Sequence, residues 1–394
     1  MTAANFLITG CYRSGTTLAD KLLHTHPGIV AASQAYPLLY SMAKQRFLEQ
    51  RGIERRYPLD HLFLESAYTA SDFRAFLDSH HFNADDIRGM FDGLEGFVED
   101  SWTPELLRYR DAIQPSTLLD ILTQLNACLL ELFPKQDAVL AGSKEIMVEE
   151  FIPWLLDTGG YVTLVTRDPR DVVLSAHYSK KSFLGDYRPI LYTLRAWRRS
   201  AAYALAYKTH PRFVRLEFGS LVRDPRSAVD TAAMRFGLKP LDGDPFLDGV
   251  IDQQGRPWKS NSSFGETQAI DAKATGKFRD RLPEDVIRFV EAACFPEMRA
   301  LGYPFACSNA YDPDALFRFR EPFEVTHERF RDDPDYSTDP ARLTREQERI
   351  EHLARNTPMA DHDIEAWFLH PQTHEHLSAA MRPDDTSMNG DDEA

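Results

Sequence analysis

No stretch of the 394-residue chain approaches the ~20 consecutive apolar residues that a bilayer-spanning helix requires. The first strand-like run begins at Phe6, close to the first Met, so no cleavable leader is expected. Cysteine is scarce: Cys11, Cys128, Cys294 and Cys307 are scattered without metal-ligand spacing and frame no disulfide scaffold. These absences predict a cytoplasmic protein with no membrane partner. A basic excess is missing too. Against 60 Asp and Glu stand 45 Lys and Arg, a net charge of −15, and a nucleic-acid surface needs the opposite sign. No internal repeat is visible. What remains is an ordinary soluble composition, 43% hydrophobic and 27% charged, long enough for two or three domains and a sizeable core. Nothing in it decides between a monomer and a homo-oligomer.

The most informative absence is a single lysine. The stretch Gly10-Cys11-Tyr12-Arg13-Ser14-Gly15-Thr16-Thr17 follows an apolar run at 6–8 and precedes Leu18, Leu22 and Leu23 at helical spacing. That order predicts a buried strand, a tight turn and the first turn of a helix. Two glycines let the backbone amides converge, and the helix N-terminus adds partial positive charge, so the turn is an anion site. A nucleotide-triphosphate loop, G-x-x-x-x-G-K-[ST], places Lys on the β- and γ-phosphates and a hydroxyl on Mg²⁺. Here Thr16 stands where that Lys belongs, and the cation has moved to Arg13 inside the loop. Such a site suits a smaller anion on a nucleotide better than a metal-bound triphosphate.

Strand signals recur at 29–32, 138–142, 161–166 and 213–216, with helical patterns between them, including 191–208 and 228–236. Short apolar strands alternating with helices predict an α/β fold: an open parallel sheet of about five strands with helices on both faces. Ligands of such sheets bind beyond the carboxyl ends of the strands, where the loop lies. Residues from about 40 to 136 read as a mostly helical insert rich in phenylalanine, acidic between Asp60 and Asp100, where Arg74 and Arg88 are the only Arg or Lys residues. Its aromatics read first as a local core and second as an acceptor-side cap that excludes polyanions. Beyond Tyr303 the composition shifts. A helical C-terminal extension is expected over 306–380, including a charged helix at 343–355, and a disordered acidic tail over 381–394. His362, His370, His374 and His376 fit a solvated histidine-rich segment better than a metal site.

The fourth strand runs into Arg167-Asp168-Pro169-Arg170-Asp171-Val172-Val173-Leu174-Ser175. Pro169 suits the first position of a helix and Asp168 its cap. Arg167 then sits at a strand end, with Ser175 two turns along the helix; an ion pair of Arg167 with Asp171 is the alternative to a ligand role. The two motifs together resemble the sulfotransferases that use 3′-phosphoadenosine 5′-phosphosulfate (PAPS). The resemblance spans roughly residues 5–303, is dense at the motifs and thin between about 40 and 136, and implies a sulfotransferase domain over 1–305. It implies that Arg13, Ser14, Gly15, Thr16 and Thr17 hold the 5′-phosphosulfate, that Arg167 and Ser175 hold the 3′-phosphate, and that no metal is needed. Further stretches resemble the family: 216–225, lengthened at Phe218 and Gly219, then 261–264, and 276–282 followed by 301–303. The last of these implies that Lys277 and Arg279 reach the 3′-phosphate.

Sulfuryl transfer is an in-line displacement that demands positioning, a cation on the leaving oxygen and a base for the acceptor's proton. The resemblance gives the first cation to Arg13. The base departs from the family's patterns. A Glu six or seven residues after His-Pro is replaced by Ser33 and Gln34, and a His two residues after the third-strand Lys is replaced by Ile146. Glu145, beside Lys144, is the nearest titratable group and the candidate base; Glu149 and Glu150 follow. His24, His26 and His177 read as packing residues, and His80 or His81 of the insert stay open as bases. The expected function is sulfuryl transfer from PAPS to a hydroxyl or amine of a small-molecule or carbohydrate acceptor. The alternatives are a small-molecule kinase using Mg-ATP, with Asp168 as its metal-binding residue, and an inactive nucleotide-binding protein.

Overall fold

The computed structural model describes residues 3–53, 68–95, 103–179, 187–258, 270–271, 273–331, 337–355 and 358–382. Five strands form one all-parallel sheet: β1 (Ala4–Thr9), β2 (Ile29–Ser33), β3 (Leu140–Lys144), β4 (Tyr161–Thr166) and β5 (Phe213–Glu217), in the order β2-β3-β1-β4-β5. The expected strands are all present. The third is displaced toward its C-terminus, to Leu140–Lys144 rather than 138–142. Val139 is half exposed outside the sheet, while Ser143 and Lys144 pair with both β1 and β2 at its buried centre. Residue polarity gives no hint of a strand there; the ladder on both sides imposes it. Gly142 is needed at this point because a Cβ would run into the Phe6 carbonyl.

Side chains alternate across the sheet, as a strand period of two requires. Phe6, Ile8, Ile29, Ala31, Val165 and Leu216 face α1 (Thr16–Thr25) and later helices of that side. Leu7, Val30, Ala32, Ala141 and Leu164 face the helices that join β2 to β3: α2 (Pro37–Gln50), α3 (Ala70–Ser79), α4 (Ala84–Glu95) and α5 (Leu118–Leu132). The described phenylalanines of this insert, Phe47, Phe73, Phe76, Phe82 and Phe91, form the local core expected of them, whereas Phe63 and Phe97 lie outside the described residues. Phe47 lies 5.0 Å from Phe73 and 5.5 Å from Phe76, and Phe73 lies 5.2 Å from Phe151 beside β3. The acidic stretch Asp60–Asp100 falls partly outside the described residues.

After β3 come α6 (Ile152–Asp157), β4, α7 (Pro169–His177) and α8 (Ile190–Ala206). After β5 come α9 (Phe218–Arg223), α10 (Pro225–Arg235), α11 (Phe278–Arg281), α12 (Glu284–Ala293) and α13 (Phe295–Leu301). Among the described residues five more helices follow: α14 (Asp314–Arg318), α15 (Glu328–Arg331), α16 (Pro340–Arg355), α17 (Asp361–Phe368) and α18 (Pro371–Met381). They do not stand apart. Leu316, Phe319, Phe330 and Leu343 share a core with Trp197 of α8 and Phe289 of α12. The histidines of this region differ from the solvated segment expected. His370 is buried edge-on against Tyr203 and Tyr207, and His374 lies against Phe368; only His362 is largely exposed. The tail expected over 381–394 lies outside the described residues from 383 onward.

Candidate functional site

The loop between β1 and α1 turns where the residue types demand it. Gly10 has φ 150°, and a Cβ there would collide with the Val165 carbonyl; Gly15 has φ 92°, and a Cβ would strike the Phe218 ring. Arg13 is left-handed without being glycine, with φ 64°, a conformation that costs of order 1 kcal/mol unless its surroundings impose it. Ser14 N donates to Cys11 O at 3.2 Å and closes the turn. α1 starts with no side-chain cap and no acidic residue in its first turn. The amides of Thr16 and Thr17 therefore keep their positive end for something else.

Two buried polar atoms beside that terminus lack a hydrogen-bond partner: Ser14 Oγ and Arg167 Nε. Arg167 is 9% exposed, and its direct hydrogen-bond partners are neutral carbonyls. Its terminal nitrogens donate to Arg13 O at 3.1 Å and Ala274 O at 3.0 Å, and its guanidinium lies 4.4 Å over the Phe218 ring. Trp197 Nε1 fixes the Arg167 carbonyl at 2.7 Å. The ion pair with Asp171 does not form, because Asp171 accepts from the amides of Gly276 (2.6 Å) and Phe278 (3.1 Å). Burial pulls the Arg167 pKa below its ordinary value, opposed by the nearby Asp171 and Asp168. A buried cation held by carbonyls and an aromatic face, with Nε left without a partner, is a candidate to pair with an anion.

Arg13 Nε donates to Ser175 Oγ at 2.9 Å, so the two expected donor motifs touch. The geometry follows from the topology: β1 and β4 are neighbours, and the loop and α7 leave their adjacent carboxyl ends. Asp168 caps α7 as expected, accepting from Arg170 N at 2.9 Å. Its oxygens also take Arg170 Nε (2.9 Å) and a terminal nitrogen (2.6 Å). That leaves it badly placed for the metal a kinase would need. Lys277 Nζ pairs with Asp271 at 2.8 Å, and the Arg279 guanidinium lies 4.9 Å from the Phe278 ring. Both sit on the segment that Asp171 ties to α7. The segment 261–264 lies outside the described residues.

Glu145 follows the end of β3 in full burial, and its Oε1 accepts from Tyr36 N at 2.7 Å. Burial pushes its pKa up to about 8, against the pull of that bond and of Lys144. Lys144 Nζ reaches Gln34 Oε1 at 3.1 Å. Glu149 and Glu150 belong to a buried ionic cluster, Glu150 with Lys44 (3.0 Å) and Arg199 (3.0 Å), and Glu149 with Arg199 (3.1 Å). His24 bonds the Ala31 backbone, burial lowering its pKa to about 4, and His26 bonds Lys239 O. His80 packs between Phe76 and Phe82, and His81 bridges to Thr117. His177 is also buried. Phe218 was visible in the sequence only as an irregularity of spacing. The register that pairs Thr166 with Glu217 makes it the neighbour of Arg167.

No family model matches the chain, and no curated protein matches it. In structure it is similar to the sulfotransferase domain from the curacin biosynthetic pathway, at 15% identity and TM-score 0.44, over 78% of this chain and 99% of that one. It is similar to the sulfotransferase domain from the Synechococcus PCC 7002 olefin synthase at 18% identity and TM-score 0.40, over 72% and 90%. It is also similar to a sulfotransferase from Alicyclobacillus acidocaldarius at 14% identity and TM-score 0.30, over 62% and 88%. At such distances neither donor nor acceptor transfers to this chain.

Proposed function

We propose that the chain is a sulfotransferase that moves the sulfuryl group of PAPS to a hydroxyl or amine of a small-molecule or carbohydrate acceptor. The observation that carries this is Arg167: buried, faced by carbonyls and a ring, with Nε unpartnered beside the uncapped start of α1. Two groups of donors, one on each motif and brought into contact through Arg13, suit a nucleotide with phosphates at both ends of its ribose. Arg167 and Ser175 would take the 3′-phosphate; Ser14, Thr16 and Thr17, with the α1 amides, would take the 5′-phosphate. Lys277 and Arg279 would close over the 3′ end.

In the reaction the acceptor oxygen or nitrogen attacks sulfur while the bond from sulfur to the bridging oxygen breaks, and that electron pair stays on the nucleotide. Arg13 would neutralise the growing charge, a contribution of about 3–4 kcal/mol for one well-aimed donor in a dry site. Glu145 is the candidate base that takes the acceptor's proton. With a pKa near 8 it holds a proton at pH 7, so the rate should climb as pH rises through 8.

Calorimetric titration with adenosine 3′,5′-bisphosphate, without metal, tests the donor site on wild type and Arg167→Ala. Binding that weakens at least about tenfold in the variant, the worth of one charge-assisted hydrogen bond, is expected. Preference for ATP with Mg²⁺, or indifference to the 3′-phosphate, overturns the proposal.

A further inference from the structure

Arg13 keeps a left-handed backbone, and something must hold it there before any ligand arrives. On its C-terminal side Gly15 and the Ser14–Cys11 turn supply part of the constraint. On its N-terminal side the neighbour is Tyr12, a residue that the nucleotide-binding pattern leaves unspecified. The Tyr12 side chain is buried, and its ring stacks on Tyr192 of α8 with centroids 6.3 Å apart and planes 17° apart. Its hydroxyl lies 2.7 Å from Thr193 Oγ1. The same Thr193 oxygen lies 2.7 Å from His177 Nε2, in the last turn of α7.

A threonine hydroxyl has one proton and two lone pairs, so Thr193 can bond both partners at once, with the Tyr12 rotor and the His177 tautomer setting which bond it donates. All three side chains are buried, Thr193 completely, so no solvent replaces a lost bond. Burial lowers the His177 pKa to about 3, which keeps the imidazole neutral and leaves the chain of bonds unchanged across the working pH range. Two residues before His177, the same helix presents Ser175 to Arg13. Consecutive loop residues are thus gripped by two neighbouring helices, Tyr12 through Thr193 and Arg13 through Ser175.

We infer that Thr193, bridging Tyr12 of the loop to His177 of α7, is a positioning residue that sets Arg13 against the 5′ end of the donor. The inference rests on the proposed donor site. It separates from a general packing role because it predicts a loss at one end of the ligand only. Arg167, which takes the 3′ end, shares one bond with the loop, to Arg13 O. Its other terminal nitrogen is held by Ala274 O, its guanidinium by the Phe218 ring and its carbonyl by Trp197, so the loss of the Thr193 hydroxyl bears on it less than on Arg13.

The experiment compares affinities for adenosine 3′,5′-bisphosphate and adenosine 3′-monophosphate in wild type, Thr193→Val and Thr193→Ser. Valine keeps the shape and removes the hydroxyl. It should weaken the bisphosphate about tenfold, the upper worth of a neutral buried hydrogen bond, and the monophosphate less than about twofold. Serine restores the hydroxyl and should bring both affinities back to within about twofold of wild type. Equal weakening of both ligands, or no change in either, overturns the inference. If Thr193→Val does not fold, Tyr12→Phe removes the other end of the same bond and must give the same one-sided loss. Failure of wild type to bind the bisphosphate would instead refute the donor site.

Discussion

Glu145 illustrates how much a residue's chemistry depends on what covers it. In the sequence it is a carboxylate beside a lysine; in the fold it is a buried acid whose pKa has moved from 4.5 to about 8. Between those values the unfolded chain releases a proton that the folded chain retains, so stability falls as pH rises from about 5 to 8 and levels off above. Glu145→Gln keeps an acceptor for Tyr36 N and cannot ionise. Its thermal midpoint should match wild type near pH 4 and exceed it at pH 8. As the candidate base its loss should also lower kcat by about a hundredfold; an unchanged kcat would remove it from the chemistry. Gly15 is a simpler case. Gly15→Ala places a Cβ against Phe218 at φ 92° and should destabilise by roughly 1–3 kcal/mol in denaturant titration. Arg13, Ser14, Arg167 and Ser175 were legible as candidates because both motifs lie at strand–helix junctions and together resemble the sulfotransferases that use PAPS. The roles of Phe218, Tyr12 and Thr193 were not, since they depend on which strands and helices become neighbours.

The elements themselves were legible in proportion to how far each apolar pattern matched its period. α8 was expected at 191–208 and runs Ile190–Ala206; β5 was expected at 213–216 and gains only Glu217. β3 moved because two polar residues are recruited into a sheet centre that the sequence alone cannot locate. The same limitation hid the ionic cluster that ties α2 to α8. Lys44, Glu149, Glu150 and Arg199 look like solvated charges in the sequence and are all buried. Burial lowers the Lys44 pKa, with Glu150 opposing it. Removing one partner of such a cluster strands the others in low dielectric, typically at a cost of about 3–5 kcal/mol. Lys44→Met should lose stability on that scale in urea unfolding. Adding Glu150→Gln should return part of it, because the second change removes the stranded charge. A double variant no better than the single one would mean that Arg199 alone satisfies Glu150.

At the scale of the molecule, the C-terminal helices are continuous with the core they were expected merely to follow. Buried ion pairs as well as apolar side chains make the join. Glu346 of α16 sits between Arg195 (2.8 Å) and Arg198 of α8, and Arg349 meets Glu297 of α13 at 2.7 Å. Burial would raise the Glu346 pKa, but Arg198 and Arg195 outweigh it and hold the carboxyl far below its ordinary 4.5. A depressed folded-state pKa contributes stability above the unfolded value and loses it as pH falls further. Glu346→Gln removes that contribution and leaves the arginines of α8 facing one another, so at pH 7 the variant should be less stable by about 3 kcal/mol or more. Below pH 4.5 wild type steadily loses this advantage while the variant has none to lose, so their unfolding midpoints should converge on acidification. Parallel denaturation curves at pH 7 and pH 3.5 measure that convergence. A gap that stays constant between the two pH values would mean that the helices are held to the core by packing alone, with the ion pairs contributing nothing to the join.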